Sequence, residues 1–367
     1  MNDAHAHREA PRNPQESPAQ APGPERLDRA AGVLLAAACG DALGVPYEFA
    51  QRLRADQRPE MAGGGLGPYR PGEYSDDTQM AACIARALAD PSAPADPGGT
   101  GRGAAGPAGA EGAVFGPRVL DGVAENFLTW MFEGASDIGN QTRAVLGAAA
   151  ARRGKPGTAE AMLAAARERY TSGVPSAGNG SLMRTGPVGL CFPGDARATA
   201  DAARLLSRLT HADPLAEEAC VLWCEGIRRA VAGDGFAGVR TGLELLPGER
   251  SAYWAARLDE AEQAPPHEFN PNGFVVPALQ AAWSAITTAP GEGAEHLVAA
   301  LENAVRAGDD TDTVAAIAGA LLGARWGASA VPDHWREAVH GWPDLAAADL
   351  EDLGRRLAQT PPSALSG

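Results

Sequence analysis

A chain of 367 residues with a formal net charge of −15 lacks the basic surplus for general binding to nucleic acid or an anionic membrane, both of which need positive patches to neutralise phosphate. Alanine is abundant, aromatic residues make up only 5% of the chain, and runs rich in Val, Ile, Thr and Tyr are few, which points to an all-α fold. The cysteines Cys39, Cys83, Cys191, Cys220 and Cys224 are odd in number and lie mostly in apolar or helical runs, so a reducing, cytoplasmic setting is expected rather than a disulfide framework.

Met1 to about Glu25 is rich in His, Pro, Gln and Ala, without the apolar segment of a signal peptide, and reads as a disordered tail. No run reaches the roughly 18 uninterrupted apolar residues of a membrane span, so a membrane is not expected as a partner. Residues 26–360 read as one domain with no fixed-period repeat. Leu27, Ala30, Ala31, Leu34, Leu35 and Ala38 recur at helical spacing and predict a first helix over 26–40, ending at Gly40-Asp41-Ala42-Leu43-Gly44. Pro46 then makes a loop or short turn that presents Glu48.

Residues 61–74 are a Gly/Pro-rich approach to Ser75, the predicted N-cap of a helix from Asp76 to about Asp90 whose leading acids suit the positive end of its dipole. Residues 91–117 carry almost no large apolar side chains and read as a flexible insertion. Order resumes at Arg118 in a helix with Phe127, Trp130 and Met131. The loop from Ser136 to Arg143 starts another, and 158–170 is helical. Gly178-Asn179-Gly180-Ser181 is a small-residue loop where a ligand can approach the backbone. Helices follow over 195–208, 213–232, roughly 236–245 and 252–263, then over 278–288 and 294–307 after a Pro/Asn/Gly loop. A last polar helix covers 345–358. Cys220 and Cys224 share one helix face, but without further Cys or His ligands they do not make a zinc site.

The segment Gly308-Asp309-Asp310-Thr311-Asp312-Thr313 feeds an Ala-rich helix, and Ser75-Asp76-Asp77-Thr78 far upstream repeats the pattern. Each cluster alone would serve as a helix cap, which needs only one side chain. Here both carry further acids. Brought together, Asp76, Asp77, Asp310 and Asp312 would concentrate four charges that repel unless protonated or neutralised. Hard divalent cations prefer such oxygen ligands, and two would balance four carboxylates. Neither cluster has the alternating acids, central Gly and terminal Glu of an EF-hand.

Taken in order, Gly40 to Glu48, Tyr74 to Met80, Asp137 to Arg143, Gly178 to Arg184, Thr210-His211 and Gly308 to Thr313 resemble the motif series of the ADP-ribosylglycohydrolase family. The resemblance implies a compact all-α, orthogonal helical bundle with a binuclear Mg²⁺ or Mn²⁺ centre in a cleft, and removal of ADP-ribose from ADP-ribosylated protein or another modified acceptor. Carried over by motif, Ser75, Asp76, Asp77, Asp310, Asp312 and Thr313 are the metal ligands, with Asp309 outside the set. Glu48, Asp77 and Asp310 are the catalytic residues. Asp137 and Gly139 approach the substrate ribose, Gly178, Asn179, Gly180, Ser181 and Met183 hold the diphosphate and nearby ribose, and His211 completes the substrate site.

The expected reaction is hydrolysis at C1 of the distal ribose, with ADP-ribose as product and ADP-ribosyl-arginine as first choice of linkage. Linkage to serine, nucleic acid or a small molecule remains open at this level, as does a non-catalytic ADP-ribose-binding module. Acid and base roles among Glu48, Asp76, Asp77 and Asp310 are likewise open.

Overall fold

The apolar run near the N-terminus forms a helix that continues past its expected stop. In the computed structural model, which describes residues 22–91 and 114–366, α1 spans Pro24–Gly44, with Pro24 in the first turn, where its missing N–H costs nothing. Gly40 does not end it. Glycine costs a helix about 1 kcal/mol, but here its bare Cα lets another helix pack close, and the segment to Gly44 is buried.

The remaining helices are α2 (Asp76–Ala89), α3 (Pro117–Glu133), α4 (Asn140–Ala149), α5 (Thr158–Thr171), α6 (Ala196–Arg208), α7 (Pro214–Ala232), α8 (Gly238–Thr241), α9 (Gly248–Ala261), α10 (Val275–Thr287), α11 (Gly293–Val305), α12 (Thr311–Trp326), α13 (Asp333–Ala338), α14 (Ala347–Gln359) and α15 (Pro362–Leu365). The only ladder among the described residues pairs β1 (His340–Gly341) with β2 (Leu345–Ala346), antiparallel, with His340 opposite Ala346. The fold is all-α. Several boundaries differ from expectation: α9 starts at Gly248 rather than at 252, and the last long helix, α14, starts at Ala347, after strand β2. Helix α10 starts at Val275 rather than after Pro277, because a proline in the first turn has no intrahelical N–H bond to lose. The segment expected as one helix over 236–245 divides into α8 and a 3-10 turn at Gly242–Leu245.

Helices α1 and α12 run antiparallel with their backbones in contact. Gly32 faces Gly323, Ala36 faces Gly319, Gly40 faces Ala315 and Gly44 faces Asp312. On α1 these positions form one four-residue ridge. A Cβ at Gly44 would stand 2.3 Å from Asp312 Cα, and one at Gly40 would stand 2.3 Å from the Ala315 carbonyl oxygen. Helix α14 reaches α1 in the same way, since a Cβ at Gly354 would stand 2.3 Å from the Ala30 carbonyl oxygen.

Buried indoles fasten the surrounding helices: Trp223 of α7 donates to the Ile317 carbonyl of α12 at 2.8 Å, and Trp130 of α3 donates to Gln79 Oε1 of α2 at 2.6 Å. Pro24–Tyr47 holds no uninterrupted apolar run of membrane-spanning length, and although its overall length and composition would suffice to cross a membrane, 89% of its apolar stretch is buried inside the protein. Of the expected tail, residues 1–21 lie outside the described residues, and α1 begins at Pro24, before the tail's expected end. Residues 92–113 of the expected insertion also lie outside them. Its C-terminal end is packed: Phe115 is buried with its ring 5.9 Å from that of Phe192, and the Gly116 N–H donates to the Leu365 carbonyl at 2.8 Å.

Adding one methyl at the α1–α12 contact should therefore be costly. Gly323→Ala is expected to lower stability in urea denaturation by about 1–3 kcal/mol. Gly147→Ala, in α4 where an added Cβ meets nothing within 4 Å, should be neutral or slightly stabilising.

Candidate active site

The α1–α12 contact carries Asp41 to the N-terminus of α2, and that end is capped from outside. Ser75 occupies the N-cap position, but its hydroxyl makes no cap bond. The carboxylate of Asp41 does the capping. It accepts from the Ser75 N–H at 2.8 Å, the Ser75 hydroxyl at 2.7 Å, the Thr78 N–H at 3.0 Å and the Thr78 hydroxyl at 2.6 Å, so it answers orphan donors of the first turn and adds a negative charge at the dipole's positive end. Ser75 Oγ lies 3.0 Å from Asp77 Oδ2 and 3.3 Å from Asp312 Oδ2 as well. One hydroxyl has one hydrogen, so it donates to only one of these carboxyls, and the others bond to its oxygen only when they carry a proton.

The start of α12 is braced by amides. Asn272, fully buried, accepts the Asp310 N–H at 2.9 Å and donates to the Gly308 carbonyl at 2.9 Å. Asn179 donates to Asp310 Oδ2 at 2.8 Å and to the Asn272 carbonyl at 2.9 Å, which joins the glycine loop to the acid cluster. The Thr311 hydroxyl donates to the Gly44 carbonyl at 2.8 Å, at the last turn of α1. Asp309 is exposed with φ of 55°, a left-handed conformation that aspartate tolerates. Its carbonyl accepts the Phe49 N–H at 2.7 Å, tying the turn that presents Glu48 to the approach to α12.

Two groups of carboxylate oxygens result, each drawn within 4.8 Å: Asp41, Asp77 and Asp312, and Glu48, Asp310 and Asp312. Asp312 belongs to both. Asp77 Oδ1 is buried with no hydrogen-bond partner, and no ion pair to these acids occurs among the described residues. Burial first, and then the neighbouring acids, push the carboxyls of Asp77 and Asp312 well above the usual range. Asp76, which keeps partial exposure, is shifted the same way by burial and by Asp137, Asp41 and Asp310. Asp310 is raised by burial against the hydrogen bond from Asn179, Asp41 is raised to about 6, and Glu48, half-buried at the edge, is raised to about 9 by burial, Asp310 and Asp137. An all-oxygen donor set with an orphaned buried oxygen and mutually repelling charges fits hard divalent cations.

The other expected site residues surround this cluster at different depths. Asp137, half-buried before α4, accepts its neighbour Ile138's N–H at 2.7 Å, and Gly139 is exposed at the α4 N-cap. Gly178 and Gly180 are partly exposed above His211, which is itself 2% exposed. Thr313 is buried in the first turn of α12. Ser181 and Met183 are buried, and the Ser207 hydroxyl donates to Ser181 Oγ at 2.9 Å; the Ser181 side chain thus turns into the body, which leaves its backbone to the loop.

Sequence reasoning gave no role to Asp41 or Asn272. A lone carboxylate in the apolar run Ala36 to Gly44 was the available signal for Asp41. Nothing local distinguishes Asn272 from an ordinary turn asparagine. Tyr69 was also passed over. Its buried hydroxyl has no hydrogen-bond partner.

Fold and site together define an all-helical enzyme class with a buried carboxylate centre able to hold metal. A family model described as ADP-ribosylglycohydrolase matches residues 22–364. The chain belongs to the ADP-ribosylglycohydrolase family and is an enzyme of that kind. Curated relatives include the ADP-ribosyl-[dinitrogen reductase] glycohydrolase of Rhodospirillum rubrum, 26% identical over 85% of this chain and 90% of that protein. An ADP-ribosylarginine hydrolase of Pseudomonas putida is 28% identical over 91% of this chain and 80% of that protein. A solved structure titled as an ADP-ribosylglycohydrolase-related protein complex superposes with a TM-score of 0.63 at 26% identity, covering 92% of this chain and 99% of that one.

The raised acids make a stability prediction with a definite sign. Glu48 shifts from 4.5 to about 9 and Asp41 from 3.8 to about 6, so the folded state holds protons that the unfolded state has released. Metal-free protein should be most stable below about pH 4 as far as these groups are concerned, and should lose that contribution as pH rises through 6 and towards 9. Thermal melts in chelator across this range, repeated with Mn²⁺, should show the cation raising the midpoint most at the alkaline end. Asp312→Asn should raise the metal-free midpoint at pH 8 and abolish the cation's effect.

Proposed function

We propose that the chain hydrolyses the glycosidic bond at C1 of the distal ribose in an ADP-ribosylated acceptor, with arginine on a protein as the linked residue and ADP-ribose as product. The observation that carries this reading is the pair of acid groups that share the buried Asp312, joined through Asn179 to the Gly178–Ser181 loop, in a chain of this family. The arginine linkage rests on similarity to the ADP-ribosylarginine hydrolases of Pseudomonas putida and Serratia proteamaculans, at 28% and 26% identity.

In this reading two divalent cations, Mg²⁺ or Mn²⁺, are held by Ser75, Asp76, Asp77, Asp310, Asp312 and Thr313, with Asp41 bracing the set. When bound, they supply positive charge that offsets the carboxylates, attracts the diphosphate and polarises oxygen at the distal ribose. The chain's own groups do the rest. Backbone N–H groups of the Gly178–Ser181 loop hold the diphosphate, while Asp137 and Gly139 border the ribose. Glu48, at the edge of the cluster, is placed to deliver a proton to the departing acceptor atom. Asp310, oriented by Asn179, and Asp77 face the positive charge that develops on the sugar as the bond breaks, and a water adds to C1, its proton passing to a carboxylate of this cluster. All five cysteines are free and buried, which supports placing the protein in the reducing cytoplasm.

The test is release of ADP-ribose from a panel of defined linkages by purified protein, with Mg²⁺ or Mn²⁺ and after chelation. Cation-dependent release from ADP-ribosyl-arginine is expected, with Glu48→Gln lowering kcat by roughly 10²–10⁴-fold. Release confined to serine, nucleic-acid or small-molecule conjugates would move the linkage. Tight ADP-ribose binding without release from any of them would make the chain a binding module, and full activity after chelation would exclude the cation role.

A further inference from the structure

Behind the Gly178–Ser181 loop lies a run of buried polar contacts that the reaction above does not use. Arg184 is fully buried, with its guanidinium 4.8 Å from the centre of the Phe127 ring. It donates to the Gly180 carbonyl at 2.8 Å and to the Thr210 hydroxyl oxygen at 2.6 Å. That oxygen lies 2.7 Å from His211 Nδ1. Gln141 fixes the same backbone, donating to the Thr210 carbonyl at 2.9 Å and to the Ser176 carbonyl at 3.1 Å.

The proton positions follow from the donor inventory. A guanidinium can only donate, so the Thr210 oxygen accepts from Arg184; the hydroxyl's one other partner among the described residues is His211 Nδ1, so its hydrogen finds an acceptor only when Nδ1 carries no proton. His211 Nδ1 then accepts, which leaves the proton of a neutral ring on Nε2. That edge faces the loop: a Cβ at Gly178 would lie 3.4 Å from Nε2, and one at Gly180 would lie 3.2 Å from it. A doubly protonated ring would place a second cation beside Arg184 away from water. Burial and the charges of Arg184 and Arg169 accordingly hold the imidazole well below its ordinary pKa.

We infer that Arg184 and Thr210 are positioning residues that set His211 in its neutral Nε2–H tautomer, so that the ring offers one N–H donor to an oxygen of ADP-ribose on the Gly178–Ser181 loop. The ligand part rests on the reading of that loop given above; the tautomer is testable without any ligand. Long-range ¹H–¹⁵N correlation, with the His211 signals identified by their loss in His211→Gln, should show a neutral ring protonated at Nε2 at pH 7. A ring protonated at Nδ1, or at both nitrogens, would overturn the inference.

Thr210→Val should lose the single-tautomer signature and weaken ADP-ribose binding about tenfold, one neutral hydrogen bond's worth, whereas Thr210→Ser should keep both near wild type. Equal affinity in all three proteins would overturn the positioning role. If Thr210→Val does not fold, the wild-type tautomer and the Thr210→Ser protein still decide. Failure of the wild type to bind ADP-ribose would remove the reading of the loop and the ligand part with it, while the tautomer stands or falls on its own spectrum.

Discussion

The backbone contact between α1 and α12 is the constraint on which the centre depends. Glycines on both helices remove the Cβ atoms that would otherwise hold the axes apart, and the two helices approach until Gly44 lies against Asp312. That approach brings Asp41 from one end of the sequence and Asp312 from the other to the same point. From there Asp41 reaches across to cap α2, and α2 in turn presents Asp77. The helices are thus joined at their acidic ends by hydrogen bonds to carboxylates, and along their lengths by packing of small side chains.

This arrangement works against the stability of the empty protein. Carboxyls with raised pKa values are groups whose charged form is disfavoured by burial and by one another, and their concentration here is not relieved by any ion pair among the described residues. The surrounding scaffold keeps them in place regardless. Buried amides, Asn179 and Asn272, fix the approach to α12, and buried indoles fasten α2 and α12 to their neighbours. Conflict at a functional centre, held by consistent packing elsewhere, is the pattern expected of an active site.

Much of this was legible along the chain, for local reasons. Alanine-rich periodicity and the scarcity of strand-forming runs gave the helical class, since those signals act over a few turns. Ser75 to Asp77 and Asp310 to Thr313 were visible as acid-rich helix starts, and the order of motifs suggested the family. Asp41 was hidden because the glycine before it looked like a helix end. In the fold Gly40 instead serves close packing, and the helix continues through Asp41. Ser75 was read as a capping side chain, which is the local default; a carboxylate from another helix takes that part.

Helix content, the positions of the two acid clusters and the small-residue loop could be read from the chain alone, because each depends on residues within a turn or two of one another. Which acids share a volume could not be read in that way. The pairing of Asp41 with Asp77 and Asp312, the inward turn of Ser181, the bracing by Asn272 and the Arg184–Thr210–His211 relay arise where segments distant in sequence meet. Their geometry is set by helix crossings and the loss of water between them, quantities that no local spacing encodes.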